Sequence, residues 1–437
     1  MGAHAHHHEV VSVEEQFEFT AGYKRNLLIG MGIGIALVIL GSFLLSQGGG
    51  HGHEAHAAAG HAAHGGHEHE YHWWQRIIAN LWVNSVYFAG ISVIGMFFIS
   101  YNALAEAGWS VVFRRVPEAM PSFLPVPAII MLVIAALFGD KIYHWMHEGI
   151  MTPGSPNYDA IIAGKQGFLN KPFYFIRLVL YFGIWYGLWR VVRKLSLEED
   201  QIGGTDNYYK IIRYGTIFLV LFGITSSTSA WDFVMSIDTH WFSTMFGWYT
   251  LASWHVAGLA TMTLTIIMLK ERGYLKVVTE SHLHDLGKFC FAFTIFWAYV
   301  WFAQFLLIYY ANLPEEAIYF RERFSGYGGI YKAPFFMNIF LCFVLPFFLL
   351  MTRDSKRTMR ILKLACWVIL VGHYFDFYTN IMPGTIGEHG GFGALEFGMI
   401  IVFACTFIWF ISSQLEKANL IPRNHPMLEE SLYHDIA

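Results

Sequence analysis

Residues 80 to 104 read NLWVNSVYFAGISVIGMFFISYNAL, from Asn80 to Leu104, with no charged side chain in the run. A helix rising about 1.5 Å per residue needs about 20 such residues to cross the hydrocarbon core of a bilayer. A water-facing helix of that length carries a charged face. This one carries none, so it reads as a membrane span.

Working outward, nine further windows have the same character: 26–46, 122–145, 172–192, 211–231, 243–269, 288–311, 334–351, 362–381 and 391–413. The whole chain of 437 residues is 55% hydrophobic, 18% aromatic and only 14% charged, which water-facing surfaces rarely allow. The fold expected is an all-α integral membrane protein of about ten transmembrane helices. With 28 basic and 32 acidic side chains and a net charge of -4, the chain offers nucleic acid no broad basic face. Cys290, Cys342, Cys366 and Cys405 each sit in an apolar stretch with no C-x-x-C pair, so zinc ribbons, iron–sulfur clusters and c-type haem lack ligands. The stretch from Leu27 is longer than a signal-peptide core and lacks a clear cleavage site, so it reads as a retained span.

Lysine and arginine fall unevenly between the connections. One set, from Lys24 and Arg25 to Lys417 and Arg423, holds 19 of them, and the other set holds 7. Short basic loops stay in the cytoplasm, so both termini are expected there. The loops around 47–79, 147–171, 232–242, 312–333 and 382–390 are then external. Twelve of the 22 histidines precede residue 73, in the tail from His4 and in the glycine-alanine loop from His51. Such tracts are compositional signals without fixed geometry, and no specific metal site is assigned to them.

Ser85-Val86-Tyr87-Phe88-Ala89-Gly90 in span two matches Ser253-Trp254-His255-Val256-Ala257-Gly258 in span six. Likewise Trp231-Asp232-Phe233 ends span five and Phe375-Asp376-Phe377 lies in span nine. The two matches pair spans two to five with spans six to nine in order, a parallel repeat. Two four-helix bundles are expected, 80–231 and 232–381, the second with its preceding outer loop. Peripheral helices flank them at 26–46 and within 382–413, with tails at 1–25 and 414–437 and the His-rich loop at 47–79.

An ionisable group inside a span costs roughly 2.5 to 3.5 kcal/mol on insertion scales, so each needs a partner, a water cavity or a task. Asp140, His144 and His147 stand at i, i+4 and i+7 near the outer end of span three, hence on one helical face. Thr225, Thr228, Ser229 and Asp232 have helical spacing in span five, a hydroxyl ladder leading to a carboxylate that water could use to carry protons. His373, Asp376 and Asn380 share a face of span nine, His255 lies near the middle of span six, and Glu396 lies in the outer half of span ten. A lone intramembrane histidine is ordinarily a hydrogen-bonded interior residue. Carboxylates at matching repeat positions are harder to assign to packing alone. A quinol gives up two electrons and two protons, so its site needs an apolar slot and an acid or imidazole near each ring oxygen.

With ten spans, two four-helix repeats, the Trp231-Asp232-Phe233 helix end and the following Asp238-Thr239-His240-Trp241-Phe242-Ser243-Thr244-Met245-Phe246, the chain resembles the NrfD/PsrC-type quinone-interacting membrane subunits. Within them it is most similar to those of bacterial alternative complex III. The resemblance implies a respiratory quinol:cytochrome c oxidoreductase in which iron–sulfur and c-type haem subunits carry electrons from menaquinol. A homologous NrfD-like subunit would sit beside this chain, which would hold no covalent cofactor of its own. In the quinol-oxidising sister subunit the helix end before the Asp-Phe pair carries a His-Thr type segment. Here it is Thr225-Ser226-Ser227-Thr228-Ser229-Ala230, without histidine, a departure that favours proton conduction over quinol oxidation. Asp232, His373 and Asp376 would then be proton-path groups, and Asp140, His144 and His147 an outer vestibule or degenerate quinone pocket. Two other classes compete: a structural anchor, and an ion or metal transporter using the His-rich loop.

Overall fold

The computed structural model describes residues 14–48 and 71–435. The His-rich loop, the N-terminal histidines and the metal question attached to them lie outside the described residues. The described chain is 79% helical without strands, and ten helices are long and apolar enough to span a membrane. In hydrocarbon every backbone N–H and C=O must be satisfied within the segment, which an α-helix does and an isolated strand does not.

The spans are Ala21–Gly48, Trp73–Leu104, Arg115–Ile142, Lys171–Ile202, Asp206–Phe233, Phe246–Glu271, Glu280–Ala311, Lys332–Leu350, Met359–Ile386 and Ala394–Leu415. Each of the ten windows read from the sequence falls on one of them. Most run longer than the apolar window, because polar first and last turns continue the helix beyond the oil. Span four shows how such a turn starts: the Asn170 side chain accepts the Phe173 N–H at 3.0 Å, and Pro172 fills a position that needs no donor.

Two spans are irregular for identifiable reasons. In span three, Pro117, Pro121 and Pro125 remove donors at every fourth residue, and the helix tightens to a 3-10 turn over Met120–Phe123. Span eight carries a π-turn over Phe340–Val344, just before Pro346. Pro346 cannot bond the carbonyl four residues back, and the wider turn absorbs the missing donor.

Spans two, three, four and five contact one another in a closed ring, and spans six, seven, eight and nine form a second ring in the same order. The rings meet through spans two and six, five and six, and nine and two. Spans one and ten pair together and lie against spans two and three. At the crossing of spans two and six both repeat-related glycines are required by close approach. A Cβ on Gly90 would lie 1.8 Å from the Trp254 ring, and one on Gly258 would lie 2.4 Å from Ile94. Small residues of this kind let membrane helices pack without a hydrophobic driving force.

Both tails lie on one side. Gln16 bridges Asn419, and the Leu420 N–H donates to the Glu15 carbonyl at 2.7 Å. This is called the terminal side below, and the opposite face the far side.

Candidate proton-exchange site

Span nine turns His373, Asp376 and Asn380 into the second ring, and Asp376 is fully buried there. Its carboxylate accepts from five side chains on four helices. Oδ1 takes the Tyr249 hydroxyl, Asn338 Nδ2 at 2.9 Å and Asn380 Nδ2 at 3.4 Å. Oδ2 takes Ser253 Oγ at 2.6 Å and Trp297 Nε1 at 3.2 Å. Every one of these donors is neutral. The nearest group able to carry positive charge is His373, whose Nδ1 lies 3.9 Å from Oδ2.

Ser253 joins the two, since its Oγ is also 2.8 Å from His373 Nδ1. A hydroxyl has one proton to give. While Ser253 donates to Asp376, His373 Nδ1–H must donate to Ser253, which leaves Nε2 as the bare nitrogen. That Nε2 is buried and has no hydrogen-bond partner among the described residues. Asp376, Ser253 and His373 thus form a three-member relay: with Asp376 protonated and the ring proton of His373 on Nε2, the chain runs the other way, and Asp376 can give its proton to Ser253 while Ser253 gives its own to Nδ1, leaving a carboxylate and an imidazolium.

The relay opens toward the far side. Tyr319, on the short helix Pro314–Phe324, donates to Asn380 Oδ1 at 2.8 Å, and Asn380 Nδ2 donates to the Tyr249 hydroxyl at 3.0 Å. Between them lies a cavity of about 10 Å³, lined by Tyr249, Gln304, Tyr319, Arg323, Asn338 and Asn380 among others. That is room for about one water molecule and not for a quinone ring. Arg323 closes its mouth, stacked 3.4 Å over Tyr319 and paired to Asp238 at 2.8 Å. Beside it stands Glu322, half-buried. Burial and Asp238 push its carboxyl above the ordinary value, against the pull of Arg323 and Arg321.

The repeat-related Asp232 is built differently. Arg177 on span four grips it with two bonds, Nε to Oδ2 and Nη2 to Oδ1, both 2.7 Å, and Tyr181 donates to Oδ2 at 2.7 Å. Arg177 also bonds the Phe168 carbonyl at 3.0 Å and lies over the Phe168 ring at 3.9 Å. The charge of Asp232 is neutralised in place, by an arginine whose position in the second ring is taken by the neutral Asn338.

The hydroxyls of the ladder leading to Asp232 bond within their own helix. Thr225 donates to the Leu221 carbonyl at 2.8 Å, Thr228 to Ile224 at 3.0 Å and Ser229 to Ser226 at 3.0 Å. The spacing is helical as expected, and each hydroxyl donates to its own backbone, while Thr225 Oγ1 also accepts the Trp185 Nε1–H at 2.9 Å.

Asp140, His144 and His147 do not form a helical stripe. Phe138 leaves helical geometry, the span ends at Ile142, and Tyr143 is extended before the 3-10 turn His144–Met146. The three still gather at the far side, with His147 Nε2 2.6 Å from the Asp140 carbonyl and the His144 and His147 rings 5.2 Å apart. Asp140 itself points to Lys141, at 3.0 Å, and is 45% exposed.

Glu396 is fully buried. It accepts Arg76 Nε at 2.8 Å, Asn80 Nδ2 at 3.0 Å and the Gly393 N–H at 2.8 Å, tying the start of span ten to span two. His255 is buried against Phe97, Tyr101 and Phe293, with neither ring nitrogen hydrogen-bonded among the described residues. Its repeat mate Tyr87 instead donates to the Leu370 carbonyl at 2.8 Å.

Sequence reasoning did not find Tyr249, Ser253, Trp297 and Asn338 around Asp376. Only Tyr249 and Ser253 left a signal, as an i, i+4 polar pair inside an apolar span. Among the described residues, no group of three or more His, Cys, Asp or Glu side chains is arranged to hold a metal ion. No protein-family model matches the sequence, and no curated protein matches it.

Proposed function

We propose that this chain is the proton-handling membrane subunit of a respiratory quinol:cytochrome c oxidoreductase of the alternative complex III type. In this reading the terminal side is cytoplasmic and the membrane is the bacterial inner membrane. Iron–sulfur and c-type haem subunits, with a homologous NrfD-like subunit that oxidises menaquinol, carry the electrons. This chain accepts and passes protons.

The carrying observation is the contrast between the two repeat-related acids. An ionised carboxylate in a dry interior is tolerated when paired, as Asp232 is, and costs several kcal/mol when not. Asp376 is held by neutral donors next to an imidazole, with a water-sized opening to the far side. Such a group can take and lose a proton without breaking a salt bridge, and Ser253 and His373 provide the next step inward. The cavity beside Asp376 suits water and protons rather than a quinone headgroup, so the quinol site is assigned to the sister subunit.

The test is proton release per electron in the purified complex during quinol oxidation. Asp376→Asn should lower proton release or slow turnover while haem and iron–sulfur subunits still co-purify. A second reading, a purely structural anchor, draws on the closed pairs Arg177–Asp232 and Arg76–Glu396. It expects unchanged proton release in Asp376→Asn, and that result would decide for it.

A further inference from the structure

The terminal-side end of the first ring holds a buried ionic cluster that the far-side relay does not use. Its centre is Glu118 on span three. Arg114 Nε reaches it at 3.0 Å, Arg115 Nη1 at 2.6 Å, Arg193 Nη1 at 2.5 Å and Ser196 Oγ at 2.6 Å. Arg115 also pairs with Asp200. Three arginines thus serve two carboxylates, leaving one positive charge over.

The third acid of the cluster is Glu199, one helical turn beyond Ser196 on span four. It is 1% exposed, and neither carboxylate oxygen has a hydrogen-bond partner among the described residues. In the same cluster Arg114 Nη2, Arg115 Nε and Arg193 Nε are buried and likewise without a hydrogen-bond partner among the described residues. A carboxylate taken from water without a donor costs several kcal/mol, so Glu199 must hold a proton, a water, or each in turn.

Arg114 of the same cluster borders a cavity. This cavity of about 20 Å³, room for one or two water molecules, is lined by Asn102, Ser110, Arg114, Tyr208, His425 and Met427 among others. Tyr208 and Arg114 both lie within electrostatic range of Glu199. His425, in the C-terminal tail, accepts from Arg114 at 2.7 Å. Burial and then Arg114 push its imidazole down to about 3, so it is neutral near pH 7 and does not compete for the proton.

We infer that Glu199 is a second proton-binding site, loaded from the terminal side through water in the cavity at Arg114, Tyr208 and His425. Its charge balance explains why it is poised. With Glu199 protonated, Arg114, Arg115 and Arg193 exceed Glu118 and Asp200 by one charge. With Glu199 ionised the cluster is neutral. Glu118, gripped by three arginines, has no such freedom. The inference rests on the proton-handling reading only for its purpose, since proton binding at Glu199 is measurable by itself.

The experiment is labelling of the intact chain, in its native complex, with dicyclohexylcarbodiimide, followed by peptide mass spectrometry. The reagent adds across a protonated carboxyl: the carboxyl oxygen bonds the carbodiimide carbon and the proton passes to its nitrogen. An adduct is expected on Glu199 and not on Glu118. Its rate should rise up to about tenfold per unit fall in pH on the alkaline side of the titration. An adduct on Asp376 with none on Glu199 at any pH overturns this inference alone. Labelling at Glu199 that sodium blocks at constant pH also overturns it, because the site then binds a cation. A Glu199 adduct alongside proton release indifferent to Asp376→Asn supports this site and overturns the far-side reading instead.

Discussion

Replacing each repeat-related aspartate by asparagine should separate stability from proton handling in opposite directions. Asp232→Asn leaves Arg177 buried with its bidentate partner gone, and breaking a buried pair from one side costs about 3–5 kcal/mol. Asp376→Asn has no cation to strand. Asparagine Oδ1 still accepts from Tyr249 and Asn338, and Ser253 can reverse to accept the new amide. Only the Trp297 N–H, now 3.2 Å from a donor, loses its acceptor. One buried unsatisfied donor costs about 1–3 kcal/mol. Denaturant unfolding of the purified chain should therefore rank Asp232→Asn as the more destabilised. Proton release per electron should rank Asp376→Asn as the more impaired. A wild-type unfolding midpoint for Asp232→Asn, or full proton release from Asp376→Asn, would refute the argument that one acid is a fastener and the other a carrier.

Further outcomes follow from the same contacts. Asp232→Leu with Arg177→Leu should be less destabilising than either single change, because no charge is stranded; a double-mutant cycle in denaturant measures the coupling. Gly90→Ala should cost about 1–3 kcal/mol or more through overpacking on Trp254, and Gly183→Ala, with nothing within 4 Å of its added Cβ, should not; thermal melting compares them. Asp159 caps the short helix Ala160–Gly164 and pairs with His240 at 2.7 Å. Burial tends to raise its carboxyl, but the Ile162 N–H and His240 hold it below the usual value. Its stabilising effect is therefore full above the ordinary carboxylate range and is lost as pH falls through the lowered value; amide exchange at Ile161 and Ile162 follows it. The lowered His425 acts with the same sign at the tail. The unfolded tail takes up a proton below about 6.5 while the docked imidazole resists until about 3, so docking should weaken up to about tenfold per pH unit between these values. Limited proteolysis around residues 424–432 would report it.

The count of ten spans, the pairing of bundles and the location of both aspartates were legible in the chain as written. Insertion into oil is decided by composition over about 20 consecutive residues, and a window of that length is all such a reading needs. The failed stripe of Asp140, His144 and His147 marks its limit, because a helical face exists only while the helix continues, and this one ends at Ile142. Tertiary structure alone decided which aspartate is neutralised. Arg177 is 55 residues from Asp232, and Tyr249 is 127 residues from Asp376. No local pattern records that an arginine faces one acid across its ring while an asparagine faces the other. Charge compensation depends on which side chains meet between helices, and that is settled only when the rings close.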